Sequence, residues 1–160
     1  MRQPGWIFIL AFVASLYGGQ TAARDYRAGA LVISQAWAPE GLGKQKIGVA
    51  YFTIRNQGEA PDRLLAIELP AGGAAKLHES LMQDGVMRMR PVEAPEIPPG
   101  GELLLQPGGL HVMLSNLPAT LTAGEQLRLK LQFAVAGETE IEAEIRPRPA
   151  PAAGKGHQDH

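Results

Sequence analysis

From Arg24 onward, turn-forming residues recur about every ten positions, and no stretch between them sustains the apolar period of a helix. That rhythm admits short strands and little else. The clearest pair lies near the end. Leu127, Leu129, Leu131, Phe133 and Val135 alternate with Arg128, Lys130 and Gln132, and after 136–139 Ile141, Ala143 and Ile145 alternate with Glu140, Glu142 and Glu144. Each strand presents one apolar face to a core and one polar face to water. The glutamates, set opposite basic residues, are therefore read as a solvated face and not as a carboxylate row. The same reading predicts strands over 30–38, 48–55, 62–68, 76–83, 86–92, 102–106, 111–116, 127–135 and 140–146. Many short strands and no sustained helix predict a single all-β domain, a sandwich or Greek-key barrel, over 24–146.

The first residues follow another grammar. Arg2 precedes an uninterrupted apolar run from Trp6 to Tyr17, and Gly18 to Ala23 is small and polar. This is the pattern of a secretory leader, with cleavage expected after Ala23, and the run is short of the roughly 20 apolar residues that span a bilayer. No stable membrane insertion is expected after cleavage. Export to a periplasm follows. At the other end, residues 147–160 hold many Pro and Gly and almost nothing to bury, and are expected to be a disordered tail.

Composition removes several function classes. Fifteen basic against sixteen acidic side chains give a net charge of −1, with no polybasic footprint for nucleic acid. The absence of cysteine excludes disulfide frameworks, thiolate zinc sites, cysteine nucleophiles and blue-copper centres. An enzyme is not expected: there is no G-x-S-x-G elbow, and none of Ser34, Ser80 and Ser115 is beside a plausible base. His78-Glu79 begins like a zincin helix, but the second histidine is missing and the context is a strand.

What stands out is where the soft ligands lie. Met82, Met87, Met89 and Met113, together with His78 and His111, occupy the stretch from 78 to 113, and apart from Met1 and the tail histidines no other Met or His occurs. Any one of them alone is explained by packing. As a set they form a pattern. Asp84-Gly85 between two strand-like runs predicts a two-residue type I′ hairpin, which sets Gln83 against Val86, Met82 against Met87, Ser80 against Met89 and His78 against Pro91. Side-chain alternation then puts His78, Ser80, Met82, Met87 and Met89 on one face, with His78 and Met89 as diagonal neighbours about 7–8 Å apart. His111 and Met113 share a face of their own strand, and Gly108-Gly109 predicts a tight turn that sets His111 near the rim. Glu79 and Arg90 fall on the opposite face as a cross-strand pair. Neutral thioethers with imidazoles select Cu(I), or Ag(I), over harder cations.

At this point the residues carry a resemblance. His78, ten residues, Met89, twenty-one residues, His111, one residue, Met113 resembles the signature of the PCu(A)C family of periplasmic copper(I) chaperones. LHESLMQDGVMRMRPV over 77–92, LQPGGLHVML over 105–114 and AYFTIRNQG over 50–58 are similar to it too, and the likeness runs from about Gln35 to Arg146. The resemblance implies a cupredoxin-like β-barrel with His78, Met89, His111 and Met113 as a His2Met2 site for Cu(I). It also implies delivery toward cytochrome c oxidase copper centres, to an oxidase subunit or beside Sco-type proteins. Met82 and Met87 lie outside the signature, either as relay or rim ligands or as apolar cover. His157 and His160, with Asp159, are either a weak accessory Cu(II) site or an idle tail. Ligand exchange at a partly open site, weakening as histidines protonate, suits a carrier. Copper or silver storage or resistance, and a metal-free β-sandwich interaction module with a sticky methionine surface, are the alternatives.

Overall fold

A computed structural model describes residues 24–148. The expected leader, 1–23, and the tail beyond Arg148, with His157, Asp159 and His160, lie outside the described residues. Within them the chain forms β1 (Tyr26–Ala28), β2 (Leu31–Pro39), β3 (Gly48–Asn56), β4 (Asp62–Glu68), β5 (Ala74–Gln83), β6 (Val86–Pro91), β7 (Glu96–Ile97), β8 (Glu102–Leu104), β9 (Leu110–Ser115), β10 (Gln126–Phe133) and β11 (Glu138–Arg146). The expected all-β class is observed, with no helix among the described residues.

The strands follow one another across the sheet in the order β6-β5-β9-β3-β2-β11-β10-β4-β7, with β1 on β2 and β8 on β3. Hairpins β5–β6 and β10–β11 are joined into the sheet by long-range neighbours, β5–β9, β9–β3 and β4–β10, and β11 lies parallel to β2. Such non-sequential neighbours are what a Greek-key arrangement requires. Alternation builds the core: Leu31, Ile33, Phe52, Ile54, Val112, Leu114, Leu129, Leu131 and Ile141 are buried from several strands at once.

Several boundaries differ from the sequence expectation. In β2 the inward residues change parity, from Leu31 and Ile33 to Ala38, which requires one extra residue. The extra residue lies in a β-bulge between Ser34, opposite Thr53, and Trp37, opposite Tyr51, with Gln35 at φ 55°. Strands β1 and β7 were not expected, because three and two residues are too few to show a period. Val135 was expected to continue the apolar face of β10. It is instead 73% exposed, because the Asp62 carboxylate accepts from the backbone N–H groups of Val135 and Ala136, at 2.9 Å each, and draws that segment into the turn.

The solvated glutamate face is present as expected. Glu140 lies opposite Lys130 and Glu142 opposite Arg128, although Lys130 makes its ion pair with Glu138 at 2.7 Å. Arg148, within the segment expected to be a tail, donates its backbone N–H to the Glu40 carboxylate at 2.9 Å.

Candidate metal centre

Three strands carry the candidate ligands, and each is positioned by a local device legible in its residues. The β5–β6 turn has Asp84 at φ 52° and Gly85 at φ 75°, the two left-handed residues a type I′ turn needs. Its register is Gln83 to Val86, Met82 to Met87, Ser80 to Met89 and His78 to Pro91, as the sequence predicts. Before β9, the Gly109 N–H closes on the Gln106 carbonyl at 3.1 Å. With Pro107 second in that turn and Gly108 third at φ 80°, this is a type II turn.

The pairing of β5 with β9 brings the two strand sets together. His78 stands opposite His111 and Lys76 opposite Met113. Their ring centroids are 6.2 Å apart with planes inclined at 37°. Leu77 and Val112, which lie between them in sequence, and Leu114, which follows Met113, are buried in the core. The histidines and methionines therefore occupy the outer side of the sheet, on a run Met89, Ser80, His78, His111, Met113 that crosses β6, β5 and β9.

The two imidazoles differ in their surroundings. His111 is only 5% exposed, so it is covered and not open at the rim as its place at the strand end suggests. Its Nδ1 lies 3.0 Å from the Gly109 carbonyl oxygen. A carbonyl only accepts, so that bond puts the proton on Nδ1 and leaves Nε2 with a lone pair. The same carbonyl accepts from the Ser80 backbone N–H at 3.1 Å, tying β5 to the ring's support. His78 Nδ1 is buried with no hydrogen-bond partner, alone in this respect among the described side chains. Burying such a nitrogen unpaired costs free energy. A Lewis-acidic ion is one partner that would satisfy it.

Met113 is half-buried, whereas Met89 is 61% exposed. The set thus runs from a covered base at His111 to an open end at Met89. Among the described residues no three His, Cys, Asp or Glu side chains gather as a metal site, so any metal held here has to draw on sulfur. Glu79 and Arg90 pair on the opposite face, with Oε2 to Nη2 at 2.6 Å. That leaves the outer face of the hairpin strands without a carboxylate.

Sequence reasoning missed the flank on β3. Val49 lies opposite Met113, and Tyr51, two residues along the same outer face, packs on Trp37 with centroids 4.8 Å apart. Arg146 sits over the Trp37 ring at 5.5 Å. The bulge at Gln35 is what turns Trp37 outward onto this face, and a parity break in β2 was the available signal.

An all-β sheet with two facing imidazoles and two thioethers on its outer side defines a class of small β-domain with soft-ligand chemistry. The chain belongs to the family described as "Putative lipoprotein LpqE-like", whose model matches residues 31–145. A solved relative, the apo PCuAC domain from PmoF1, is 30% identical, with 78% of this chain and 100% of that one covered at a TM-score of 0.66. The copper-bound PCuAC domain from PmoF2 shares the fold at 23% identity and a TM-score of 0.67, covering 78% of this chain and 99% of that one. The family resemblance drawn from the His and Met spacing is thereby upheld. Among curated proteins, putative lipoprotein Lxx21020 of Leifsonia xyli subsp. xyli is 31% identical over 104 residues, 64% of this chain. That match spans 61% of the relative's own length.

Proposed function

We propose that the chain is a copper carrier that binds one Cu(I) through His78, Met89, His111 and Met113. The observation that carries this reading is the buried, unpartnered Nδ1 of His78, whose ring faces that of His111. In this assignment His78 binds through Nδ1 and His111 through Nε2, its tautomer held by Gly109. The thioethers of Met89 and Met113 complete a neutral, soft set that leaves the complex at +1 and favours Cu(I) over the harder Cu(II). Support comes also from the similarly folded PCuAC domain of PmoF2, which is copper-bound.

A carrier must release its cargo. Met89 at the exposed end is the ligand an acceptor displaces first, while the covered His111 stays on longest. Release is thus a stepwise exchange of neutral ligands, a transfer chemistry that needs no catalytic group. On this reading the protein is exported, with residues 1–23 as a leader cleaved after Ala23 and 24–146 as the copper-binding domain. It works in the periplasm and hands copper to an acceptor such as an oxidase subunit or a Sco-type protein, toward cytochrome c oxidase assembly. His157 and His160 add at most an accessory Cu(II) site.

The test is a competitive Cu(I) titration against a coloured chelator under reducing, anaerobic conditions, on the protein and on Met89→Ala/Met113→Ala. One tight Cu(I) per chain, weakened in the variant, supports the site. Binding indifferent to both methionines, or equal affinity for Cu(II) at these residues, overturns it.

A further inference from the structure

Met82 and Met87 stand outside the four-residue set, and packing does not account for them. Methionine ordinarily fills gaps in cores, yet these side chains are 67% and 55% exposed, at a hairpin tip where Leu81 and Val86 are exposed as well. They cover little of anything.

Register says what they can do instead. Gln83 and Val86 flank the two-residue loop as a hydrogen-bonded pair, so Met82 and Met87 form a non-hydrogen-bonded pair, in which side chains approach most closely. Their Cβ atoms are about 4.5–5.5 Å apart on that geometry, and two long thioethers can close on one ion. The same kind of pair recurs at Ser80 with Met89 and at His78 with Pro91. Pro91 fits there because the missing N–H would point away from β5, off the open side of an edge strand. All these side chains share one face. Glu79, Arg88 and Arg90 alternate onto the other, where Glu79 and Arg90 are ion-paired.

We infer that Met82 and Met87 form a second, surface site for Cu(I), at which copper enters and leaves, with Met89 joining it to the inner ligands. The inference rests on the Cu(I)-carrier reading of the inner four residues. Each step replaces one neutral ligand by another on the same +1 ion, so no electron or proton is exchanged.

The test follows isotope-labelled methionine methyl groups by NMR during titration of the purified protein with Ag(I), a diamagnetic probe of soft sites. It is repeated on Met82→Leu/Met87→Leu, which keeps apolar volume and removes both sulfurs. The first equivalent is expected to move the Met89 and Met113 methyls, and further Ag(I) those of Met82 and Met87. The variant keeps the first event, takes up no second equivalent of Ag(I), and gives up its first equivalent to a chelator more slowly. Silence of the Met82 and Met87 methyls throughout, or a second equivalent of Ag(I) taken up equally by the variant, overturns the inference and leaves the tip an apolar surface. A first equivalent that leaves Met89 and Met113 unmoved overturns the four-ligand reading instead, so the two failures are distinct.

Discussion

His78 on β5 and His111 on β9 stand directly opposite each other, with ring centroids 6.2 Å apart. An ion held between them joins two strands at the end of the sheet, and binding to the folded state alone stabilises that state. Thermal unfolding with and without Ag(I) is expected to shift upward, by about 2.7 kcal/mol at a free-ion concentration one hundred times the dissociation constant. Removal of the ion by a chelator reverses the shift. His78→Ala/His111→Ala abolishes it, and an equal shift in that variant would refute the assignment.

Burial separates the roles of the proposed ligands. Met89 is on the surface, so Met89→Leu is expected to leave the folding free energy within about 0.5 kcal/mol while weakening Cu(I) binding. His111 is covered and bonded to Gly109, so His111→Ala is expected to cost about 1–3 kcal/mol as well as the metal. Denaturant unfolding beside the chelator titration reads both. A Met89→Leu protein that is destabilised but binds normally contradicts this.

How much of this is legible in sequence depends on range. The hairpin register is, because Asp84-Gly85 fixes the pairing within a few residues, and Glu79 opposite Arg90 follows from counting. The β10–β11 alternation is legible for the same reason. The facing of His78 and His111 is not, because it depends on β5 pairing with β9 across the three intervening strands β6, β7 and β8, and no local spacing specifies that choice. The resemblance to a family signature, not strand geometry, is what joins them. The bulge at Gln35 was written in the parity change between Ile33 and Ala38, but nothing in the chain nearby says on which side of a sheet Trp37 falls. The covered state of His111 depends on packing that the strand-end position misrepresents.

Asp62 is a buried carboxylate serving backbone. It accepts from the Arg63, Val135 and Ala136 N–H groups, and so fixes the β10–β11 turn to the start of β4. Asp62→Ala strands two amides of that turn and is expected to cost about 2 kcal/mol or more. Urea unfolding measures it, with Cu(I) affinity unchanged because the site lies on other strands. A loss under 0.5 kcal/mol, roughly that of a surface change, would count against the role.

Gly73, immediately before β5, is under a double constraint. Its φ is 108°, and a Cβ there would meet the Ser115 carbonyl oxygen at 2.9 Å and that of Asn116 at 3.1 Å. Backbone of the neighbouring strand cannot swing aside as a side chain can. Gly73→Ala is therefore expected to cost at least about 1–2 kcal/mol. It should also loosen the β5–β9 pairing that sets His78 against His111, so weaker Cu(I) binding accompanies the lower melting temperature. A variant as stable as the parent would show that the strands part easily here.

Tyr51, on the outer face beside Trp37, supplies a pH dependence. Burial raises its phenol above the ordinary value of 10.0, with the Arg148 cation opposing. A raised value means that the folded state holds the proton more tightly than the unfolded chain does. The stabilisation is thus complete below the unfolded value and is lost as the pH rises from there through the folded one. Lys130 is also raised, chiefly by its hydrogen bond to Glu138, but that pair lies at the surface and contributes little. Melting temperatures of the metal-free protein are expected to fall in the alkaline range above about pH 10. Tyr51→Phe, which keeps the ring on Trp37 and removes the hydroxyl, should flatten that fall. An alkaline limb of equal slope in the variant would mean that the phenol ionises as easily in the fold as in water.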